Sequence, residues 1–172
     1  KKMGKSNKYI QELEQELYHL QNKLEKAENR LEEVKTISRS SYSTTDLEML
    51  SKMINAEATG WPESEKLAVG QVILNRMNYF NLTLKEAIFE KTSSGRYVFS
   101  PLIDGRYYSV PMVNSSVSVA KKLLTGEKYY PVGNALYFCT HQSYNSKGWH
   151  WDYVNNQGGQ IVYKSECHVY IR

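Results

Sequence analysis

Side chains suited to nucleophilic or metal chemistry are scarce in this sequence. There are four histidines in 172 residues, and His19 falls inside a heptad-patterned segment, so a Ser-His-Asp arrangement is poorly supplied. No Gly-rich phosphate loop or metalloprotease His pair is present. The two cysteines, Cys139 and Cys167, both fall late in the chain. They read as two buried thiols or, in an exported protein, as a disulfide. With His141 and His168 they give only Cys-x-His and Cys-His spacings, which do not match zinc ligation, so neither a metal nor another cofactor is expected. No apolar run approaches the length of a membrane span, and any membrane anchor is expected only outside this chain. The net charge is a mild +4, and no Arg/Lys cluster is interleaved with aromatics, which argues against nucleic acid as a partner. A slightly basic chain does suit loose association with an anionic polymer.

What is present falls into three segments. Ile10, Leu13, Leu17, Leu20, Leu24, Ala27, Leu31 and Val34 alternate at spacings of three and four, the a/d seam of a coiled coil. Glu16, Lys23, Arg30, Glu14, Glu28 and Lys35 occupy flanking positions. Residues 1–37 are therefore expected to form a coiled-coil helix that self-associates as a homo-oligomer, or a single helix packed on the downstream domain. Residues 38–45, a polar Ser/Thr run without periodicity, read as a linker. Residues 46–172 are long enough for one folded core.

That third segment opens with an amphipathic helix. Thr45 with Glu48 offers a capping box, and Leu47, Leu50, Met53 and Ile54 form a core-facing stripe. Glu57 continues the stripe, seven residues after Leu50 and three after Ile54. A carboxylate aimed where its predecessors bury apolar groups costs stability unless something uses it. A Thr59–Pro62 turn leads to a second helix, Glu63 to about Met77, apolar over much of its circumference, where Gly70 permits close approach of a neighbour. A third short helix carries a Thr83/Glu86 capping box. Residues 92–114 are irregular and too long for an idle connection. A fourth helix, 115–125, is capped by Asn114 and stopped by Gly126. Strands are expected at 135–139, 161–163 and 168–171. The order predicts an α+β domain, mainly α, with a small sheet.

Ten of the fourteen tyrosines lie between Tyr97 and Tyr170, with Trp149 and Trp151 among them. Aromatic rings in loops are good platforms for sugar faces, although many of these will simply finish a small core. A carboxylic acid with aromatic subsites points to glycoside chemistry, in which an acid protonates a leaving oxygen. Apolar surroundings would raise the carboxyl pKa as that role requires. On pattern alone, Glu57 is either that acid or a salt-bridged residue at a helix end.

Asn55-Ala56-Glu57-Ala58-Thr59-Gly60-Trp61-Pro62, followed by Leu67-Ala68-Val69-Gly70-Gln71-Val72-Ile73-Leu74-Asn75-Arg76, resembles the signature of the spore cortex-lytic and cell-wall hydrolase family. Val98-Phe99-Ser100, Asp104-Gly105-Arg106, Ala120 to Gly126, Pro131 to Phe138 and Cys167-His168-Val169-Tyr170 match further pieces in the same order. The resemblance spans nearly all of Met49 to Ile171 and none of the heptad segment. It implies a lysozyme-like domain, related to lytic transglycosylases, acting on peptidoglycan glycan strands outside the cell, at the wall or spore envelope. Its catalytic residue maps to Glu57, which would protonate the oxygen between N-acetylmuramic acid and N-acetylglucosamine. The resulting carboxylate would then take a proton from the muramyl C6 hydroxyl, leaving a 1,6-anhydro end. Asn75, Phe99, Ser100, Tyr107, Tyr137 and Trp149 are the candidate substrate-binding residues. A muramidase would instead need water and usually a second carboxylate, for which Asp104 and Asp152 are available without a motif behind either. A non-catalytic peptidoglycan-binding scaffold is the alternative of a different class. His150 and the Gly158-Gly159 loop fit no family pattern. The heptad segment stands where cortex-specific members carry a wall-binding module, so a role in germination does not transfer.

Overall fold

The computed structural model describes residues 13–26, 28 and 42–172. The chain divides into two units, Lys1–Ser41 and Tyr42–Arg172. In the first, residues 13–26 are helical, and Leu13, Leu17, Leu20 and Leu24 are all exposed. The seam positions Ile10, Ala27, Leu31 and Val34, and residues 38–41 of the expected linker, lie outside the described residues.

The first helix of the second unit begins two residues earlier than the sequence suggested. Helix α1 (Thr44–Glu57) takes Ser43 as its cap: the Ser43 side chain accepts from the Asp46 N–H, and the Asp46 carboxylate accepts from the Ser43 N–H. The capping box is thus Ser43/Asp46, not Thr45/Glu48, and Thr44 and Thr45 belong to the first turn rather than to a linker. Both pairs satisfy the same spacing, but the earlier one gains additional helical hydrogen bonds, each fixed at little further cost once the helix is nucleated. Leu50, Met53 and Ile54 are fully buried, as their spacing requires.

Helix α2 (Glu63–Phe80) runs through the centre of the core, buried along Ala68, Val69, Gly70, Val72 and Ile73. A Cβ at Gly70 would stand 2.3 Å from Leu123 Cδ1 and 2.9 Å from Ile54 Cδ1. The glycine therefore lets α2 lie directly against α1 and α6 (Asn114–Leu124), the close approach expected of it. Helix α3 (Leu84–Ile88) carries the Thr83/Glu86 capping box. The stretch read as irregular holds two single-turn helices, α4 (Ser100–Ile103) and α5 (Arg106–Ser109), and a bridge between Lys91 and Tyr97. Val113, rather than Asn114, stands at the N-cap of α6 and makes no side-chain capping bond.

After a 3-10 turn (Tyr130–Val132), strand β1 (Tyr137–Thr140) leads into two helices the sequence did not reveal, α7 (His141–Asn145) and α8 (Trp149–Asn156). Strands β2 (Ile161–Lys164) and β3 (His168–Ile171) complete an antiparallel sheet of order β1-β3-β2. Every residue of the central strand β3 is buried. Thr140 pairs with His168 and Phe138 with Tyr170, which brings the chain's last motif beside the mouth of β1. The result is the α+β, mainly helical architecture expected.

Candidate active site

Glu57 is the last residue of α1, and three contacts hold that helix end. Asn55 Nδ2 donates to Pro111 O at 2.9 Å, the Thr59 hydroxyl donates to Asn55 O, and Arg106 Nη1 donates to Ala56 O at 2.8 Å. Ala58, on the far side of Glu57, is fully buried. These anchors fix the backbone beside Glu57 and hence where its side chain leaves the helix. Its surroundings push its pKa up from 4.5 to about 7: burial is the main cause, Arg106 opposes it, and Asp104 adds to it. Near neutral pH the group divides about evenly between acid and carboxylate.

The Asp104-Gly105-Arg106 motif explains the position of Arg106. Gly105 takes φ 82°, a conformation closed to most residues, and this folds Asp104 back onto Arg106. Asp104 Oδ1 accepts from the Arg106 N–H at 3.0 Å, and Oδ2 accepts from Nε at 2.8 Å. The guanidinium then spans from the Asp104 carboxylate to the carbonyl beside the acid, with Nη2 reaching Ser100 Oγ at 3.3 Å.

Glu57 opens into a groove of about 850 Å³. Phe99, Ser100, Tyr137 and Trp149 line it with Glu57, so five of the seven candidate site residues share one cavity. Trp149, at 51% exposure, stacks on Tyr153 with centroids 5.1 Å apart, and Tyr137 meets both rings edge-on. This aromatic wall presents a flat, half-wet ring of the kind that packs on sugar faces.

The other two candidates lie elsewhere. The Asn75 amide donates to Gly133 O and Ala135 O and accepts from Gln71, so it fastens α2 to the loop before β1. Tyr107 is 5% exposed and packs edge-on against Phe89 in the main core, its phenol pushed up to about 12 chiefly by burial. Neither side chain is available to a ligand in the groove. Nor do Asp104 and Asp152 line it. Asp104 is tied to Arg106, and Asp152 accepts from Asn156 and Gln157 on the exposed face of α8.

Several groove residues were not anticipated. Among the described residues, Glu90 is the second carboxylate there, and it accepts from Arg76 Nη2 at 2.6 Å. Arg76 is itself buried, donates to Leu136 O, and sits over the rings of Phe80, Tyr137 and Phe99. His150 and His168 also line the cavity. Arg76 and His168 both fall in quoted motifs, which was their signal; Glu90 had none. Cys139 and Cys167 are free thiols, the first buried and the second partly exposed, and burial pushes Cys139 up to about 11.

A family model described as Cell Wall Hydrolase matches residues 60–167, beginning just after Glu57. Over 112 residues the chain is 31% identical to a spore cortex-lytic enzyme of Oceanobacillus iheyensis, covering 64% of this chain and 37% of that protein. A spore cortex-lytic enzyme of Bacillus cereus is 30% identical over the same length, with 64% and 40% covered. The chain thus spans roughly two-fifths of the length of the curated relatives it matches. Among solved structures, the catalytic domain of the germination-specific lytic transglycosylase SleB from Bacillus anthracis superposes with a TM-score of 0.60 at 27% identity, covering 77% of this chain and 98% of that one. The catalytic domain of the Bacillus cereus SleB protein gives 0.59 at 21% identity, with 77% and 93% covered, a likeness of fold. With the family model covering well over half of its length, the chain belongs to the cell wall hydrolase family.

Proposed function

We propose that this protein cleaves the glycan strands of bacterial peptidoglycan between N-acetylmuramic acid and N-acetylglucosamine, with Glu57 as the sole acid/base. The observation that carries this is a carboxyl with a pKa near 7, fixed at the end of α1 and opening into a groove walled by Tyr137 and Trp149. Protonated Glu57 donates to the bridging oxygen as the bond from the muramyl C1 breaks. The ionised carboxylate then accepts the proton of the muramyl C6 hydroxyl as its oxygen attacks C1. Glu57 ends protonated, and the product carries a 1,6-anhydro end. A hydrolytic outcome would call on a second carboxylate. Glu90 is the groove's other acid, but its pairing with Arg76 leaves it poorly placed to activate water, and this favours the transglycosylase reaction. The relatives' names, cortex-lytic enzyme and lytic transglycosylase, support the same substrate.

On this reading the protein acts at a cell wall or spore envelope, and the exposed leucines of residues 13–26 give it a self-associating stalk. Mass spectrometry of digested peptidoglycan tests the chemistry: anhydro-muropeptides are expected. Reducing ends would overturn the transglycosylase step, and an unaltered sacculus would overturn cleavage altogether. Sedimentation with and without residues 1–40 tests the stalk.

A further inference from the structure

A buried ionisable cluster sits under the same groove and has no part in the proton transfers at Glu57. Glu65, near the start of α2, is 4% exposed, and its Oε2 accepts from Tyr170 OH at 2.8 Å and meets His168 Nδ1 at 2.8 Å. Burial pushes the Glu65 carboxyl up, but hydrogen bonds from His168, Ser165 and Tyr170 outweigh it and hold the group below its ordinary range. An ionised carboxylate only accepts, so Nδ1 must carry the proton. In the neutral ring this leaves a lone pair on Nε2.

Nε2 has no hydrogen-bond partner among the described residues. Nor is it sealed from solvent: the buried side-chain polar atoms left without a partner there are Arg76 Nε and Ser116 Oγ. The imidazole lines the groove, with Trp61 tilted over it at 5.3 Å and Phe138 edge-on at 5.5 Å. These rings fix the plane of the imidazole, and Glu65 fixes its tautomer. In the neutral ring, a polar atom this firmly oriented and left unpaired on a residue that lines the groove is a preformed acceptor.

We propose that His168 Nε2 is a glycan contact, accepting a hydrogen bond from a hydroxyl or acetamido N–H of an amino sugar, with Glu65 as the positioning residue that sets its tautomer. The proposal rests on the peptidoglycan reading. It is tested with the full-length Glu57→Gln protein, so that binding is measured without turnover, using a tetramer of N-acetylglucosamine as probe. Long-range ¹⁵N NMR is expected to show Nδ1 protonated and Nε2 bare in the free protein, with the Nε2 resonance moving on titration. His168→Asn, whose amide can still donate to Glu65, is expected to weaken tetramer binding about tenfold, the loss of one hydrogen bond. Glu65→Gln, whose amide oxygen can still accept from Nδ1 and from Tyr170, is expected to keep the two nitrogen signatures, whereas Glu65→Leu, which removes the acceptor, is expected to lose the fixed assignment. An Nε2 resonance unmoved at saturation, or unchanged affinity in His168→Asn, overturns this contact alone. A Glu57→Gln protein that binds no tetramer overturns the glycan reading and the contact with it. If His168→Asn fails to fold, the NMR titration of the protein with its histidine intact decides.

Discussion

Replacing Glu57 by Gln removes a titratable group whose cost depends on pH, and the effect on stability has a definite sign. The folded pKa, about 7, lies above the ordinary 4.5, so the native state holds this proton more tightly than the unfolded chain. Below pH 4.5 the carboxyl is neutral in both states and contributes no penalty. As pH rises toward 7 the unfolded chain ionises first, and native stability falls by an amount on the order of 3 kcal/mol, fully expressed above pH 7. Glutamine is nearly isosteric and never ionises. Thermal melts should therefore superpose near pH 4 and separate between pH 5 and 8, with the variant the more stable by roughly 2–3 kcal/mol, or about 10 °C in Tm for a domain of this size. Muropeptide release should meanwhile fall by a factor on the order of 10² to 10⁴, the usual contribution of a general acid. A Tm difference independent of pH, or a variant less stable than the parent at pH 8, would refute the claim that burial holds this acid protonated. Stabilisation without loss of release would show that the buried acid is not the catalyst.

The remaining perturbations address the groove and its support. Activity should decline about tenfold per pH unit above roughly 7, where the acid form is depleted. Since Arg106 opposes the elevation of Glu57, Arg106→Ala should move that alkaline limb to higher pH, as a pH profile of kcat/KM would show. Trp149→Ala should weaken glycan binding by about five- to tenfold in fluorescence titrations while leaving Tm nearly unchanged, because the ring is half exposed. Gly70→Ala forces a methyl against Leu123 and Ile54 and should cost about 1–3 kcal/mol by denaturant unfolding.

Features set by periodicity were legible in the sequence, and those set by tertiary choice were not. The apolar stripe of α1 and its displaced Glu57 followed from spacing alone, as did the Thr83/Glu86 box and the tight crossing at Gly70. The Ser43 and Thr45 caps satisfy one local rule equally, so the choice between them was settled by helix length. Helices α7 and α8, five and eight residues long, are too short for a repeating stripe to show, although Tyr144, Tyr153 and Val154 pack against the sheet. Asn75 shows the limit of reading a role from a motif, since a motif position can serve the backbone of a neighbouring loop as readily as a ligand, and Tyr107, proposed without a motif, serves the core. His168 was visible as a motif residue, but its association with the groove depends on the pairing of β3 with β1 and on Glu65, 103 positions away.

The exposure of the Asp104–Arg106 pair makes Glu57 responsive to dissolved salt. Both side chains are close to half exposed, 45% and 49%, although the acid they influence is largely shielded. Dissolved salt reaches exposed charges and screens them over roughly 8–10 Å at ordinary ionic strength, while leaving the burial of Glu57 unaltered. Arg106 outweighs Asp104 in its action on that acid, so screening the pair should let the Glu57 pKa drift upward. The proton affinity of the carboxyl would then follow the ionic strength of its surroundings through a loop whose own charges are exposed.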